Sequence, residues 1–369
     1  MKILAVIGTR PEAIKMLPLI KELKKQKEFE TTVCFSGQHE TLANNVFEYF
    51  DIYPDHRFSS LPKNANLNEI TVSLLNYFDV LFKEVAPEII LVHGDTTTAF
   101  CASLAGFYQG IITAHIEAGL RTFDSHSPFP EEFNRVAIDS MSSIHFAPTS
   151  IAAKNLQNEG KNTVFITGNT GIDALKYTLS ESYFSPILNQ AKGKKLILIT
   201  THRRENIGAK MSFALMGIRD AIKDRNDVFA IAPAHPNPLV KSRVENIFGN
   251  IKNIKICPPL PLYDFHNILY RSHLIISDSG GIQEEAAYLG IPLFLIRDTT
   301  ERMECIESGN TKIIGTDQNF IFKEITNILD NPDHLRNMKK RSFIFGDGNA
   351  SKKIVQNLLC LIKKGDIIK

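Results

Sequence analysis

The 369-residue chain lacks several features that would place it in a specialised class of protein. No apolar run approaches the roughly 20 residues that cross a bilayer, so no membrane span is expected. The 42 basic and 40 acidic residues leave a formal net charge of +2. That balance gives no reason to expect nucleic acid or a membrane surface as a partner. The composition is that of an ordinary soluble globular protein.

Cysteine is scarce and scattered. The five cysteines are an odd number, which argues against a disulfide framework, and their spacing matches no metal site. We therefore expect a reducing, cytoplasmic environment and no bound metal. The apolar segment Lys2–Ile7 is too short for a signal peptide and is predicted to be the first β-strand. A G-x-G-x-x-G motif is also missing after this strand, so binding of a dinucleotide is not favoured.

Short apolar runs alternate with amphipathic segments along the chain, a pattern typical of βαβ units and parallel sheets. The rhythm breaks at residues 181–195, where Ser, Pro, Gly and Lys collect, and a second series begins at 196. We predict an α/β protein with two doubly wound, Rossmann-like domains, 1–180 and 196–349, which are joined by the linker 181–195 and face a cleft. Ligands of such folds bind at the carboxyl ends of the strands, so the residues that follow each strand are the candidates for a site.

The segment Ser277–Ala286 is the most informative. An apolar strand runs into Gly280 and Gly281, and a helix follows. Free N–H groups and the positive end of the helix dipole suit a phosphate there. Glu284 and Glu285, predicted to lie in the first helical turn, would repel a bare phosphate unless one of them binds a sugar hydroxyl. The pattern indicates a phosphate carried on a sugar, as in a nucleotide-sugar.

Carboxylates follow strands in the first half of the chain. Asp95 and Glu117 each lie just after a predicted strand, and Glu131 opens a helix. We expect the three to converge, and crowding should raise the pKa of at least one, as acid/base chemistry near neutral pH requires. The structural alternatives are an N-cap role for Asp95 and a surface ion pair between Glu131 and Arg135. A metal site is less favoured, because the spacing fits no known ligand set.

Cationic and aromatic residues follow other strands. Arg10 and Lys15 flank the first glycine turn, where the alternative is that both are merely solvated. His202 comes after the first strand of the second half and is followed by two arginines. Arg302 comes after a later strand and suits a diphosphate. Phe265 either belongs to the core or flanks a base.

These motifs together resemble the non-hydrolysing bacterial UDP-N-acetylglucosamine 2-epimerases. The resemblance runs in order across nearly the whole chain. Its matching words are GTRPEAIKM at 8–16, GQH at 37–39, VHGDTTT at 92–98, HIEAGLRT at 115–122, SPFPEEFNR at 127–135, TGNTGIDAL at 167–175, HRREN at 202–206, SDSGGIQEEA at 277–286 and RDTTER at 297–302.

The resemblance implies a GT-B-like fold whose last helix, about 350–369, packs back on the first domain. It also implies a homodimer, a UDP-sugar in the interdomain cleft and no nicotinamide or other cofactor. The implied reaction is the reversible C2 epimerisation of UDP-N-acetylglucosamine to UDP-N-acetylmannosamine for surface polysaccharide precursors. UDP is eliminated to give 2-acetamidoglucal and is then added back.

Residue roles follow from the same resemblance. Asp95, Glu117 and Glu131 match the catalytic acids of the family, and His202 matches its catalytic-region histidine. The residues that match its substrate-binding positions are Arg10, Lys15 and Arg135, then Ser279, Gly280, Gly281 and Arg302 for the diphosphate, Glu285 for the ribose and Phe265 for the uracil.

The chain departs from the family pattern in two places. Gln38 and His39 match a region that binds a second, activating UDP-N-acetylglucosamine in some members. The chain continues Glu40-Thr41-Leu42, where REML or RQML is common, so we expect a weaker dependence on this activator. Met303 replaces the usual proline after TER. Three alternatives stay open: an epimerase of a uronic or deoxy UDP-sugar, a GT-B glycosyltransferase, and a non-catalytic nucleotide-sugar-binding module.

Overall fold

A computed structural model describes residues 1–37, 40–58, 65–201, 208–235 and 237–365. At 40–42 only the backbone is described. The chain forms two compact units. The N-terminal unit comprises Met1–Lys176 and Phe345–Lys369, and the C-terminal unit comprises Tyr177–Ile344. No helix in the described ranges combines the length and the apolar character needed to cross a bilayer.

The N-terminal unit alternates strands and helices. Its elements are β1 (Lys2–Ile7), α1 (Arg10–Leu23), β2 (Glu30–Phe35), α2 (Glu40–Phe50), β3 (His56–Arg57), α3 (Leu67–Val85), β4 (Ile89–His93), α4 (Thr97–Tyr108), β5 (Ile112–Ile116), α5 (Glu131–Met141), β6 (Ile144–Ala147), α6 (Ser150–Asn158), β7 (Val164–Ile166) and α7 (Thr170–Thr178), whose end passes into the C-terminal unit.

The seven strands of this unit form a parallel sheet in the order β3-β2-β1-β4-β5-β6-β7. The strand order reverses between β1 and β4, and ligands of doubly wound sheets bind at such a switch point. The β1–α1 turn and the β4–α4 turn therefore lie side by side at the carboxyl edge. Glu117 follows β5, the next strand along, whose His115 and Ile116 pair with Val92 and His93.

The C-terminal unit repeats this plan. Its elements are α8 (Pro186–Asn189), β8 (Lys195–Thr200), α9 (Ala209–Ile222), β9 (Val228–Pro233), α10 (Pro238–Phe248), β10 (Ile254–Cys257), α11 (Leu262–Tyr270), β11 (Leu274–Ser277), α12 (Gly280–Leu289), β12 (Leu293–Leu295), α13 (Met303–Glu307), β13 (Thr311–Ile313), α14 (Gln318–Asp330) and α15 (Pro332–Met338). Its parallel sheet has the order β10-β9-β8-β11-β12-β13, so the switch point lies between β8 and β11.

Apolar burial explains why these segments form the elements that they do. Strands β1, β4 and β8 are almost continuously apolar because helices cover both faces of a parallel sheet. The predicted α/β architecture is confirmed. Strands β3 and β6 were not predicted: β3 has only two residues, and β6 carries His145.

The last helix, α16 (Ala350–Lys364), belongs to the N-terminal unit and packs against α1. It buries an apolar stripe that includes Ile354 and Leu358. The Asp173 carboxylate accepts the N–H of Ala350 at 3.0 Å and the N–H of Ser351 at 2.6 Å. A carboxylate at a helix N-terminus satisfies its N–H groups and favours the helix dipole.

The segment that was predicted to be a linker, 181–195, lies within the C-terminal unit and contains α8. Its beginning is anchored to α11. The Tyr183 hydroxyl donates to Asp264 at 2.6 Å, and the Arg271 guanidinium lies 5.3 Å from the centre of the Tyr183 ring. Arg271 also donates to the Ser180 carbonyl.

Candidate active site

Two turns of the N-terminal unit are tied together by a buried carboxylate. Glu12 accepts hydrogen bonds from the Thr9 and Thr96 hydroxyls, both at 2.8 Å, and from the Gly8 N–H at 3.2 Å. Burial raises the pKa of Glu12 to about 7, although these hydrogen bonds oppose the shift. The turn that carries Arg10 is thus fixed to the turn that carries Asp95. The sequence argument missed Glu12, because an acid in the first turn of a helix is an ordinary feature of helix N-termini.

Asp95 is not the N-cap of α4. That position is held by Thr96, whose hydroxyl accepts the Ala99 N–H at 3.1 Å. Asp95 instead binds Arg135, whose Nε lies 3.0 Å from Oδ2 and whose Nη2 contacts the same oxygen. The structure therefore brings together a predicted catalytic residue and a predicted substrate-binding residue.

Helix α5 is held against Asp95 at its first turns. The Asn134 side chain donates to the Asp95 carbonyl at 2.9 Å. Glu131, partly exposed, is the first residue of α5 and lies three residues before Asn134. Its neighbour Glu132 is buried and accepts the N–H groups of Thr122 and Phe123. Glu132 also approaches Arg135 at 3.1 Å, an i, i+3 pair within α5.

Glu117 has an unusual backbone and a charged partner. Its φ is +68°, in the left-handed region that non-glycine residues seldom adopt. Such conformations cost roughly 1–3 kcal/mol and gather at functional sites. Its Oε2 contacts both Lys15 Nζ and Asn169 Nδ2. Asp95 and Glu117, which end neighbouring turns, are each paired with a cation. The sequence argument from crowded carboxylates left out this neutralisation.

A buried histidine faces Glu117. His93, at the end of β4, places Nε2 3.8 Å from Glu117 Oε2, and in the described residues this nitrogen has no hydrogen-bond partner. Burial, with Lys15 nearby, lowers the pKa of His93 to about 3, although Glu117 opposes the shift. The ring is therefore neutral at physiological pH.

A second histidine supports the turn from behind. His115 Nδ1 lies 2.6 Å from Asp139 Oδ1, and its Nε2 lies 2.7 Å from the Gly94 carbonyl. Burial opposes ionisation of Asp139, but His115 and Arg121 outweigh it and lower its pKa to about 2. The Asp139 carboxylate and the Gly94 carbonyl thus hold the His115 ring at its two nitrogens. Gly94, directly before Asp95, is held by this network.

In the C-terminal unit, the glycine turn opens α12 earlier than predicted. The helix begins at Gly280, with Ser279 as an N-cap that makes no side-chain cap hydrogen bond. The two acids Glu284 and Glu285 consequently lie beyond the first turn, which corrects the sequence prediction and removes much of the expected repulsion of a phosphate. A Cβ on Gly280 would lie 2.6 Å from Arg302 Nη1, so the guanidinium packs directly on the turn.

Arg302 is held by two buried carboxylates. Its Nε donates to Glu284, and its Nη1 contacts Glu301. Glu301 also accepts from Arg297 at 3.0 Å. The sequence argument placed Arg302 at this edge but named neither of these partners. The acids fix the guanidinium beside the start of α12.

Glu285 has a polar environment on one side only. Its Oε1 lies 3.5 Å from His266 Nε2, and the opposite ring nitrogen of His266 lies 2.6 Å from the Thr178 hydroxyl. Oε2 of Glu285 is buried and has no hydrogen-bond partner among the described residues. Phe265, next to His266 on α11, is partly buried. Three residues of the predicted site, Gln38, His39 and His202, lie outside the described residues.

The described ranges contain no group of three or more His, Cys, Asp or Glu arranged to hold a metal ion.

The two doubly wound units, with loops of site residues at the carboxyl edges of their sheets, define a GT-B-like α/β protein. The family model for UDP-N-acetylglucosamine 2-epimerase matches residues 21–359. The chain therefore belongs to the UDP-N-acetylglucosamine 2-epimerase family.

Known proteins of this family are similar over almost their full length. The UDP-N-acetylglucosamine 2-epimerase of Bacillus subtilis is 45% identical over 361 residues, which cover 97% of this chain and 95% of the relative. The structure of the Neisseria meningitidis enzyme bound to UDP-GlcNAc is 39% identical, has a TM-score of 0.93, and is matched over 98% of this chain and 100% of that one. A Methanocaldococcus jannaschii structure with UDP-GlcNAc and UDP is 30% identical, has a TM-score of 0.86 and has the same coverage. The predicted family and enzyme class are confirmed.

Proposed function

We propose that this chain interconverts UDP-N-acetylglucosamine and UDP-N-acetylmannosamine, and so supplies precursors of surface polysaccharides. The observation that carries the proposal is the placement of Asp95 and Glu117 on neighbouring turns of one sheet edge, each held by a cation. Epimerisation needs two proton-transfer groups that act on opposite faces of one carbon. Paired carboxylates on a rigid edge supply that chemistry.

The reaction proceeds by elimination and re-addition. A carboxylate takes the C2 proton, the bond between C1 and the diphosphate oxygen breaks, and UDP leaves with the electron pair, which gives 2-acetamidoglucal. UDP then adds back to C1 while C2 receives a proton on the other face. Asp95, Glu117 and Glu131 are the acids and bases, and His202 acts in the same region. General acid–base help is typically worth 10²–10⁴-fold.

Cations offset the charge that develops on departing UDP. Arg10 and Lys15, on the turn and the helix that follow β1, and Arg135, on α5, serve the N-terminal unit in this role. Preorganised charges of this kind stabilise a leaving group without reorganising during the reaction. No cofactor takes part, because proton transfer and not hydride transfer inverts C2.

The C-terminal unit binds the nucleotide. Ser279, Gly280 and Gly281 present the N–H groups of the first turn of α12 to the diphosphate, with Arg302 beside them. The buried, unpartnered Oε2 of Glu285 accepts from a ribose hydroxyl, and Phe265 on the neighbouring α11 lies against the uracil.

NMR of the protein with UDP-N-acetylglucosamine in D₂O tests this function. We expect UDP-N-acetylmannosamine with deuterium at C2, without added nicotinamide, and some free UDP and 2-acetamidoglucal after long incubation. A panel that includes uronic and deoxy UDP-sugars identifies the preferred substrate. Product that retains its original C2 hydrogen, or activity that requires NAD, would contradict elimination. Turnover without a sugar acceptor separates the enzyme from a glycosyltransferase and from a binding module.

Assembly and regulation complete the proposal. Two copies of the chain associate, and activation by a second UDP-N-acetylglucosamine near Gln38 and His39 is weaker than in relatives that carry REML or RQML. The outer surfaces of α3, α4 and α5 expose large apolar side chains that a second copy would cover, namely Val72, Val80, Phe107, Tyr108 and Phe133. Sedimentation of wild type and of Tyr108→Asp checks the assembly: we expect a dimer that the substitution weakens.

A further inference from the structure

Asn169 lies in the turn between β7 and α7, in a motif that the proposed chemistry leaves without a role. The residue is 2% exposed. Its Oδ1 accepts the Gly171 N–H at 2.8 Å. Since an N–H group can only donate, the oxygen of the amide must face Gly171. The amide nitrogen therefore points the other way, where it donates to Glu117 Oε2.

Asn169 and Lys15 together hold one oxygen of Glu117. Lys15 approaches Oε2 from α1, while Asn169 approaches it from the turn after β7. Lys15 supplies charge on a flexible stem, but Asn169 supplies a neutral donor whose direction is fixed by Gly171. Two donors from separate elements define the orientation of the carboxylate better than one. This matters because the backbone of Glu117 is strained.

The position of Asn169 is itself fixed by the returning C-terminal segment. Its N–H donates to the Phe345 carbonyl at 2.7 Å. The main chains on either side touch: a Cβ on Gly168 would lie 2.8 Å from the Gly346 Cα. Phe345 is 1% exposed. The close backbone contact between Gly168 and Gly346 thus fixes the position of the amide that faces Glu117, within the N-terminal unit.

We propose that Asn169 is a positioning residue that orients the Glu117 carboxylate for proton transfer. The inference rests on the proposed function only for the catalytic role of Glu117. In the described part of the chain, the other groups that face Glu117 include Lys15 from α1 and the neutral His93 from β4, with the His115–Asp139 pair behind Gly94. Asp95, on the adjacent turn, is paired with Arg135.

The near-isosteric variant Asn169→Asp tests the proposal. It keeps an acceptor for the Gly171 N–H but places a carboxylate oxygen against Glu117 Oε2. Repulsion disfavours the ionised form of Glu117, so the acid limb of the pH profile of kcat/KM should move upward by about one unit. At neutral pH, kcat should fall at least about tenfold as the carboxylate loses its orientation. The dissociation constant for UDP should stay unchanged.

Asn253→Asp is the matched control. Asn253 is a buried asparagine of the C-terminal unit whose amide donates to the carbonyls of Ile222 and Arg225 at 2.7 and 2.8 Å. We expect this variant to lose thermal stability without any shift of the pH profile. If Asn169→Asp behaves in the same way, Asn169 is merely structural and the proposal is overturned.

A comparison of unfolding free energies between single and double variants keeps the test decisive even if Asn169→Asp folds poorly. In the double variant Glu117→Gln/Asn169→Asp, the new amide can donate to the introduced carboxylate, so we expect the double variant to be more stable than Asn169→Asp alone. A double variant no more stable than the single one would overturn the proposal. This readout does not need turnover. A wild-type protein that fails to epimerise UDP-N-acetylglucosamine would therefore contradict the proposed function, but the stability comparison would still test the contact between Asn169 and Glu117.

Discussion

The N-terminal and C-terminal units use the same strand order around their switch points, yet they place different chemistry there. In the N-terminal unit the turns carry Asp95 and Glu117, a strained backbone and partly buried ion pairs. In the C-terminal unit the corresponding edge carries a glycine turn and the start of α12, with acids set back to hold Arg302. Under the proposed function, one topology serves proton transfer in one unit and anion binding in the other.

The difference shows what each kind of edge requires. Proton transfer needs ionisable groups whose orientation is over-determined, so Glu12, Asn169 and His115 all brace the N-terminal turns. Anion binding needs exposed N–H groups and close approach of the backbone, which glycine allows. Variants in the N-terminal unit should therefore change turnover more than UDP affinity, and variants in the C-terminal unit should do the reverse.

The largest effect is expected for Glu117→Gln. The substitution removes an ionisable group but little volume, so we expect kcat to fall by about 10²–10⁴-fold while UDP affinity is retained. Glu84→Gln, on the exposed face of α3, is the control and should be indistinguishable from wild type. A fully active Glu117→Gln enzyme would remove the clearest chemical distinction between the two units.

Arg302→Ala comes next and should affect folding as well as binding. It removes the Arg302 guanidinium from the buried carboxylates Glu284 and Glu301, of which Glu301 keeps Arg297, and this loss costs about 3–5 kcal/mol of stability. Urea denaturation measures that loss. Arg302→Lys keeps the charge but not the fork, so it should mainly weaken UDP binding, by about 1.5–3 kcal/mol. An Arg302→Ala protein with wild-type stability would mean that these buried pairs contribute nothing to folding.

Sequence reasoning captured what is periodic or local. Strand β1 was predicted with the bounds that the structure shows, because an apolar run defines it, and helix α16 begins at residue 350, as predicted. The glycine-containing turns that follow β1 and β11 were also predicted, because each comes directly after an apolar run. Strand β3 was missed because two residues carry no periodicity.

The bracing residues could not be found from local pattern. Glu12 meets Thr96, and Asn169 meets Glu117, across long separations in the chain. An acid in the first turn of a helix and an asparagine after a glycine are ordinary features of caps and turns. The positive φ of Glu117 also has no signal in the residue type, since glutamate seldom adopts this conformation.

The pH dependence of stability gives a third test, centred on Glu12. Its pKa is raised from 4.5 to about 7, so the folded state binds more protons than the unfolded state between these values. Stability is therefore lost as pH rises through this window, by up to about 3 kcal/mol. His93 has the opposite slope below pH 6.5, because its pKa is lowered. The difference between wild type and Glu12→Gln isolates the Glu12 contribution. Parallel stability curves for the two proteins would refute it.

The smallest effect on folding, and the sharpest test of the C-terminal edge, is expected for Gly281→Ala. Among the described glycines whose added Cβ would meet nothing within 4 Å, Gly281 alone avoids the left-handed region. The fold therefore does not require glycine here, and alanine should leave stability unchanged or raise it by up to about 1 kcal/mol.

The proposed diphosphate site, in contrast, requires glycine at this position. If the diphosphate approaches the first turn of α12, the new methyl group would stand in its way, and UDP affinity should fall at least about tenfold, or 1.4 kcal/mol. Calorimetric titration with UDP, together with thermal denaturation, separates the two effects. Gly280 offers no such separation, since a Cβ there would also collide with Arg302. Unchanged UDP affinity in a stable Gly281→Ala protein would place the diphosphate elsewhere. The contrast between proton transfer at the N-terminal sheet edge and anion binding at the C-terminal sheet edge would then no longer hold.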